Sequence, residues 1–209
     1  MSTGMQTSVV RHLARARRDL LLGAASLLLA ACETSPGYSF FSIGMAQPVG
    51  GTRGYVKSLS WRGLSIDARR ALDDHFAISY SAGWNYMHDQ SQEVITFDVG
   101  AAQGLHARTL SVFPILVGGQ YGARMRDDST RALAPYVGVL TGVYYFERRT
   151  SLGLFDVTHD WWRAGVAPQI GVTRRFYDVR LVADLRYNYA FGSPPLSYVG
   201  LGLGFSWAY

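Results

Sequence analysis

The chain has 209 residues, with 20 Lys and Arg against 15 Asp and Glu and a formal charge of +5. Arg11, Arg15, Arg17 and Arg18 against Asp19 place +3 of that charge near the N-terminus and leave +2, so nucleic-acid binding loses its main support. No later segment approaches the roughly 18 uninterrupted apolar residues that a membrane helix needs, which excludes helical spanning; Gly and Tyr are abundant and Lys57 is the single lysine, a composition suited to Gly-spaced strands with aromatic ends.

The N-terminus is Arg-rich through Arg18, apolar from Leu20, and closes on Leu29-Ala30-Ala31-Cys32. Its apolar core of about a dozen residues fits the central region of a cleaved leader and is too short to span as a helix. Residues 1–31 resemble a bacterial lipoprotein signal, and that resemblance implies cleavage before Cys32 and lipidation of Cys32. The alternative is an ordinary secretory signal in which Cys32 carries no lipid. Cys32 is the single cysteine, so no intramolecular disulfide can form. Arg17-Arg18-Asp19-Leu20-Leu21 also resembles a twin-arginine export signal, but a barrel with an apolar exterior should cross the inner membrane unfolded. About 180 residues remain after processing, enough for one domain: a tether over 32–37, then a barrel over 38–209.

Eight strands are predicted, near 38–48, 58–69, 76–88, 106–123, 132–147, 160–176, 179–191 and 196–208. Their connections differ in length: Leu72 to His75 and Tyr177-Asp178 are tight, whereas Asp89 to Leu105 and Arg149 to His159 are long. Short periplasmic turns and long external loops are the asymmetry of outer-membrane barrels. An even strand count returns the C-terminus to the side of the N-terminus, so both termini are expected in the periplasm.

The second strand places Leu64, Ile66 and Ala68 opposite Ser65, Asp67 and Arg69, and the third places Phe76, Ile78, Tyr80, Trp84 and Tyr86 opposite Ser79, Ser81 and Asn85. In the sixth, Trp162, Ala164, Val166, Ile170, Val172 and Phe176 oppose Arg163, Gln169, Thr173 and Arg175. The seventh is clearest: Val179, Leu181, Ala183, Leu185, Tyr187, Tyr189 and Phe191 alternate with Arg180, Val182, Asp184, Arg186, Asn188 and Ala190. In the last strand Val199, Leu201, Leu203, Phe205, Trp207 and Tyr209 share one face, and Gly200, Gly202, Gly204, Ser206 and Ala208 the other.

Alternation alone does not say which face points outward. A lipocalin-like soluble barrel carrying an apolar ligand would have the same periodicity with the charges in water. Two features favour a membrane barrel: the glycines of the last strand make room for Arg side chains in a narrow lumen, and aromatic residues gather at strand ends as interfacial girdles. Pro114 and Pro168 fall inside predicted strands, where they cannot donate to a ladder, and should mark bulges or misplaced boundaries; Pro135 is near a strand start.

Phe113-Pro114-Ile115-Leu116, Ala134-Pro135-Tyr136-Val137-Gly138, Gly165-Val166-Ala167-Pro168, Arg186-Tyr187-Asn188-Tyr189 and the closing Gly-x-Gly-Phe-Ser-Trp-x-Tyr resemble the OmpA/OmpX-like small outer-membrane β-barrel superfamily over Ser60 to Tyr209. The resemblance implies an all-β, eight-stranded antiparallel up-and-down transmembrane barrel among outer-membrane lipids. It also implies that Phe205, Trp207 and Tyr209 form the signal read by the barrel-assembly machinery. It implies no single activity, and no peptidoglycan-binding domain is expected after the barrel. The lipid anchor on Cys32 that the signal resemblance implies would depart from the pattern.

An eight-stranded barrel is just wide enough to be filled by side chains. Asp67, Arg69, Glu147, Arg163, Arg175, Arg180, Asp184 and Arg186 are expected to form a polar lumenal network, each buried charge needing a partner. It serves as a salt-bridged filling, with a narrow conduit as the alternative. The expected role is structural or surface-interacting, carried by loops 89–105 and 149–159, with no enzymatic activity. The alternative is a lipid-modifying enzyme built from His88-Asp89-Gln90-Ser91, Asp156 and His159-Asp160 at the outer rim. His75 falls at the opposite end and His106 has no evident partner. No cofactor or metal is expected, since no His/Cys pair has ligand spacing and Gly-x-Gly-x-Gly opens no helix.

Overall fold

In the computed structural model, residues 37–97, 100–123, 133–152, 155–177 and 179–207 are described. Residues 1–36, which include Cys32 and the expected leader and tether, and Tyr209 lie outside them. Eight strands run in chain order: β1 (Gly37–Pro48), β2 (Ser60–Ala71), β3 (Phe76–Phe97), β4 (Gly100–Gly122), β5 (Ala134–Leu152), β6 (Phe155–Phe176), β7 (Val179–Ala190) and β8 (Leu196–Trp207). Each is antiparallel to its neighbours, and β8 pairs with β1 from Phe41↔Phe205 to Pro48↔Tyr198, closing an up-and-down barrel. Closure removes the open edges that a sheet of this length would expose.

The two faces divide as the alternation requires. Asp67, Asp184 and Arg186 are buried inside, whereas Leu181 and Leu185 are each 46 % exposed on the outer surface. That polarity overturns the lipocalin-like alternative, in which the leucines would line the cavity and the charges would meet water. Outward side chains also form two aromatic belts. Trp84 stacks with Phe113, which meets Tyr145, which meets Trp162, at ring separations of 6.3, 6.0 and 5.1 Å. At the end where β1 begins and β8 finishes, here the near end, Phe76 packs on Tyr121 at 5.0 Å and Phe41 on Phe205 at 6.3 Å. Between the belts the surface is Ile43, Leu64, Ile66, Val139, Ile170, Leu185 and Leu203, all exposed.

Pro114 and Pro168 produce no bulge. The β3–β4 ladder skips from Ala82↔Ile115 to Asn85↔Val112, and β6–β7 from Val166↔Tyr189 to Gln169↔Arg186, each with its register unchanged. Pro114 still stands opposite Tyr144 on β5, and Pro168 opposite Val139. Each proline thus leaves a gap in the ladder on one side only, consistent with its missing N–H. The register shift lies instead at Gly44/Ala46 on β1, against Gly63 and Ser60 of β2.

The largest difference from expectation is in the segments 89–105 and 149–159, whose described residues are strand. β3 pairs with β4 out to Phe97↔Gly100, and β5 with β6 out to Leu152↔Phe155. Because β4 also pairs with β5 from Gly122↔Tyr136 to His106↔Leu152, the four strands form one sheet that continues past the barrel. β2 leaves β3 at Asn85, and the β6–β7 ladder ends at Gly165↔Ala190. At about 3.3 Å per residue, the ten further residues of β6 project about 30 Å along the strand.

The β1–β2 connection folds over the far mouth. A one-turn helix, α1 (Gly50–Arg53), is fixed by three bonds: Ser197 N donates to Thr52 Oγ1 at 2.7 Å, Ser197 Oγ to the Val49 carbonyl at 2.8 Å, and Val49 N to the Ser197 carbonyl at 3.1 Å. Beyond it Val56 is wholly buried inside the barrel.

Candidate functional site: the lumen and the projecting sheet

Inward positions fill the barrel in three levels. Nearest the near end, the Arg186 guanidinium donates to Asp67 Oδ1 at 3.0 Å and to Ser81 Oγ at 2.8 Å, while Ser65 Oγ donates to Asp67 Oδ2 at 3.0 Å. Arg69 donates to Tyr136 OH at 2.5 Å and lies over the Tyr136 and Phe40 rings. The structure therefore brings Asp67, Arg69, Asp184 and Arg186 together, two acids and two bases, all buried. The middle level is neutral and polar: Tyr144 OH donates to Asn188 Oδ1 at 3.2 Å, and Asn85 Nδ2 to Tyr198 OH at 3.3 Å. A cavity of about 50 Å³ beside them is lined by Asn85, Asp184, Arg186, Asn188 and Tyr198, large enough for water.

The third level is apolar. Val56, Met87, Leu110, Val112 and Phe146 are all buried to within 1 % and close the far half of the lumen. The side-chain-filled lumen expected from the sequence is thus polar in its near half and filled with hydrocarbon in its far half. Planar-bilayer recordings of the refolded chain should be silent, because an ion would have to shed its water across that plug. Stepwise conductance under those conditions would show that the first loop and the plug move aside.

The other expected network members lie elsewhere. Glu147 alternates with buried Phe146 and with Arg148, so strand parity puts it on the outer face, outside the lumen. Arg163 faces inward at the far rim, donates to the Ser193 carbonyl at 3.0 Å and to that of Pro194, and lies over Phe146. Arg175 bonds the Tyr177 carbonyl at 2.8 Å and ties its own turn. Arg180 stands over the Tyr38 ring at 3.6 Å at the near end. The glycines of β8 make room, but not for arginines: a Cβ on Gly202 would stand 2.9 Å from Asp184 Oδ2, and one on Gly204 would strike Ser42 Oγ.

At the rim, His88 and Asp89 are successive strand residues and point to opposite faces. His88 Nδ1 lies 3.2 Å from Thr109 Oγ1, whereas Asp89 accepts from Lys57 N and Ser58 Oγ at 3.2 and 3.1 Å. Asp156 is paired with Arg149, and His159 stacks on Trp161. These groups do not form a catalytic cluster, and no metal-holding group of His, Cys, Asp and Glu occurs among the described residues. Phe205 faces outward on β8, Trp207 ends it opposite Val179, and Tyr209 lies outside the described residues.

The near end has a separate electrostatic feature. Asp73, in the β2–β3 turn, accepts from the His75 and Phe76 amides at 2.7 Å each, which holds its carboxyl below the usual 3.8. A depressed carboxyl adds stability above its ordinary value, and that stability is lost as pH falls through the depressed one. The midpoint difference between wild type and Asp73→Ala should thus be widest near neutrality and shrink on acidification below 3.8. A difference independent of pH would show that the ionised form is not what the turn holds.

On the inner face of the projecting sheet, sequence periodicity gave no signal and the register supplies the geometry. The pairings align Asp89, Arg108, Thr150 and Val157 in one row, Met87, Leu110, Arg148 and His159 in the next, and Asn85, Val112, Phe146 and Trp161 in the third. Tyr55, from the first loop, bonds the Arg149 carbonyl at 3.0 Å and Thr150 Oγ1 at 2.9 Å, placing its ring 4.9 Å from the Arg148 guanidinium. Burial holds Arg148 below the usual arginine range, and the nearby Arg163 guanidinium acts in the same direction.

No family model matches the chain, and no curated protein matches it. Solved structures do. Neisserial surface protein A is 17% identical over 84% of this chain and 98% of its own, with a TM-score of 0.53. The outer membrane protein OprG from Pseudomonas aeruginosa is 12% identical over 85% and 97%, with a TM-score of 0.51. The fold is that of the small outer-membrane β-barrels. Ail, the attachment invasion locus protein of Yersinia pestis, solved in complex with the heparin analogue sucrose octasulfate, is 14% identical over 83% of this chain and 99% of its own, with a TM-score of 0.50. At these identities the likeness speaks for architecture alone.

Proposed function

We propose that the chain is a bacterial outer-membrane barrel that holds a four-stranded sheet outside the cell as an interaction surface. The observation that carries this reading is the continuation of β3, β4, β5 and β6 beyond the far aromatic belt, where no lipid requires strand structure. The sealed lumen speaks against a transport role, and the dispersed rim residues against lipid-modifying chemistry. Both termini then lie in the periplasm, where acyl chains on Cys32 would enter the inner leaflet, and Phe205, Trp207 and Tyr209 serve as the signal for the assembly machinery. Leader cleavage before Cys32 belongs to the same proposal.

The test combines two measurements on one strain. A folded barrel should need detergent for extraction and migrate differently on gels before and after boiling. A Thr158→Cys variant, on the β5–β6 hairpin, should react on intact cells with a bulky membrane-impermeant maleimide. Labelling only after lysis would reverse the orientation and sink the reading.

A further inference from the structure

We propose that the inner face of the projecting sheet binds an anionic saccharide, a sugar ring bearing a sulfate or phosphate ester, with Arg148 as the anchoring cation. The inference rests on the reading of that sheet as surface-exposed and adds a ligand class to it. Three features of the face converge.

The first is an unmet donor. Arg148 Nε is buried and has no acceptor among the described residues, and the groups acting electrostatically on this guanidinium are Tyr55 and Arg163, neither of them a carboxylate. A charged donor held half out of water without an oxyanion is incomplete, and sulfate or phosphate oxygens match the guanidinium fork. The single carboxylate in the three rows, Asp89, already accepts from Lys57 N and Ser58 Oγ, so its repulsion of an anion is reduced.

The second is a flat platform beside that donor. Trp161 is 37 % exposed, stacks with His159 at 5.6 Å, and lies under Arg148 at 5.9 Å. On the neighbouring strand the buried Phe146 packs against the ring at 5.3 Å and steadies it. An aromatic face accepts the C–H face of a pyranose, while the exposed His159 beside it offers a hydrogen-bonding ring nitrogen. The third is preorganisation. Tyr55 is locked by its two hydroxyl contacts, and the strand register fixes Arg148 opposite His159, so little side-chain freedom is lost on binding.

The test uses the full chain refolded into phosphatidylcholine nanodiscs and titrated calorimetrically with a sulfated disaccharide, its unsulfated parent and inorganic sulfate. The sulfated sugar should bind at least about tenfold more tightly than either of the others. Arg148→Gln should weaken it by about tenfold or more, and Trp161→Ala should also weaken it, while Arg174→Gln at the near end leaves it unchanged. Each variant must keep its heat-modifiable migration. Binding of inorganic sulfate as tight as that of the sugar, or an unaltered affinity in Arg148→Gln, would overturn the proposal. Loss of sugar binding when the nanodiscs are doped with a phosphorylated glycolipid would assign the site to a lipid headgroup instead. If no sugar binds although Thr158→Cys is labelled on intact cells, the ligand class fails and the exposed-surface reading stands.

Discussion

Replacing Arg186 with Met should cost about 3 to 5 kcal/mol of unfolding free energy, the penalty of leaving a buried charge without its partner. Arg186 is shared: it bonds Asp67 and Ser81 and stands beside the Asp184 carboxylate. Without it, two buried acids depend on Arg69, whose guanidinium is engaged by Tyr136. Asp67→Asn should cost less, because Asp184 then keeps both arginines. Asp67→Asn combined with Arg186→Met should fall short of the sum of the single changes, since the two share one network. Urea titration of the refolded barrel, followed by tryptophan fluorescence, gives all three values. A loss below about 1 kcal/mol for Arg186→Met would mean that this level is bathed in water and that the charges are screened as they would be on a surface.

Leu185→Arg should destabilise by about 2 to 4 kcal/mol relative to Leu185→Ala in a lipid bilayer. Leu185 is midway along β7, beside Ile170 and Leu201 on the neighbouring strands, and 46 % exposed to whatever surrounds the barrel. If that surrounding is hydrocarbon, the guanidinium must reach a head group or drag water inward. The depth dependence is the sharper test. Val179→Arg, at the near end of the same face, should cost only about 0 to 1 kcal/mol because the interface is within reach of the side chain. Equal costs at both positions would remove the membrane from the explanation.

The barrel proper was legible because lipid imposes its own rule on the sequence. Along β7, Leu181 and Leu185 must be apolar while Asp184 and Arg186 must have partners, and both requirements repeat every second residue. The projecting sheet escaped notice for the converse reason. Gln90, Ser91, Gln92 and Glu93, or Arg149, Thr150 and Thr158, are polar one after another, so no hydrophobic period marks them as strand. The far half of the lumen is hidden differently. Met87, Leu110, Val112 and Phe146 point inward between outward aromatic residues such as Tyr86, Phe113 and Tyr145, so both faces are apolar and the contrast that separates inside from outside disappears. The charge of Glu147 points to the lumen, whereas strand parity with Phe146 puts it outside. The rows that align Arg148, His159 and Trp161 depend on how 106–122 and 136–152 are matched, which no single strand specifies.

The ladder with β2 leaves β3 at Asn85 and that with β7 leaves β6 at Gly165, while the strands between them climb on. The far rim of the barrel is lopsided: a half-wall on one flank, a low parapet on the other. A bulky visitor can arrive over the parapet but is screened from behind, so the direction of approach is chosen before any contact is made. Neighbouring proteins crowding the low flank would close that access without touching the wall itself.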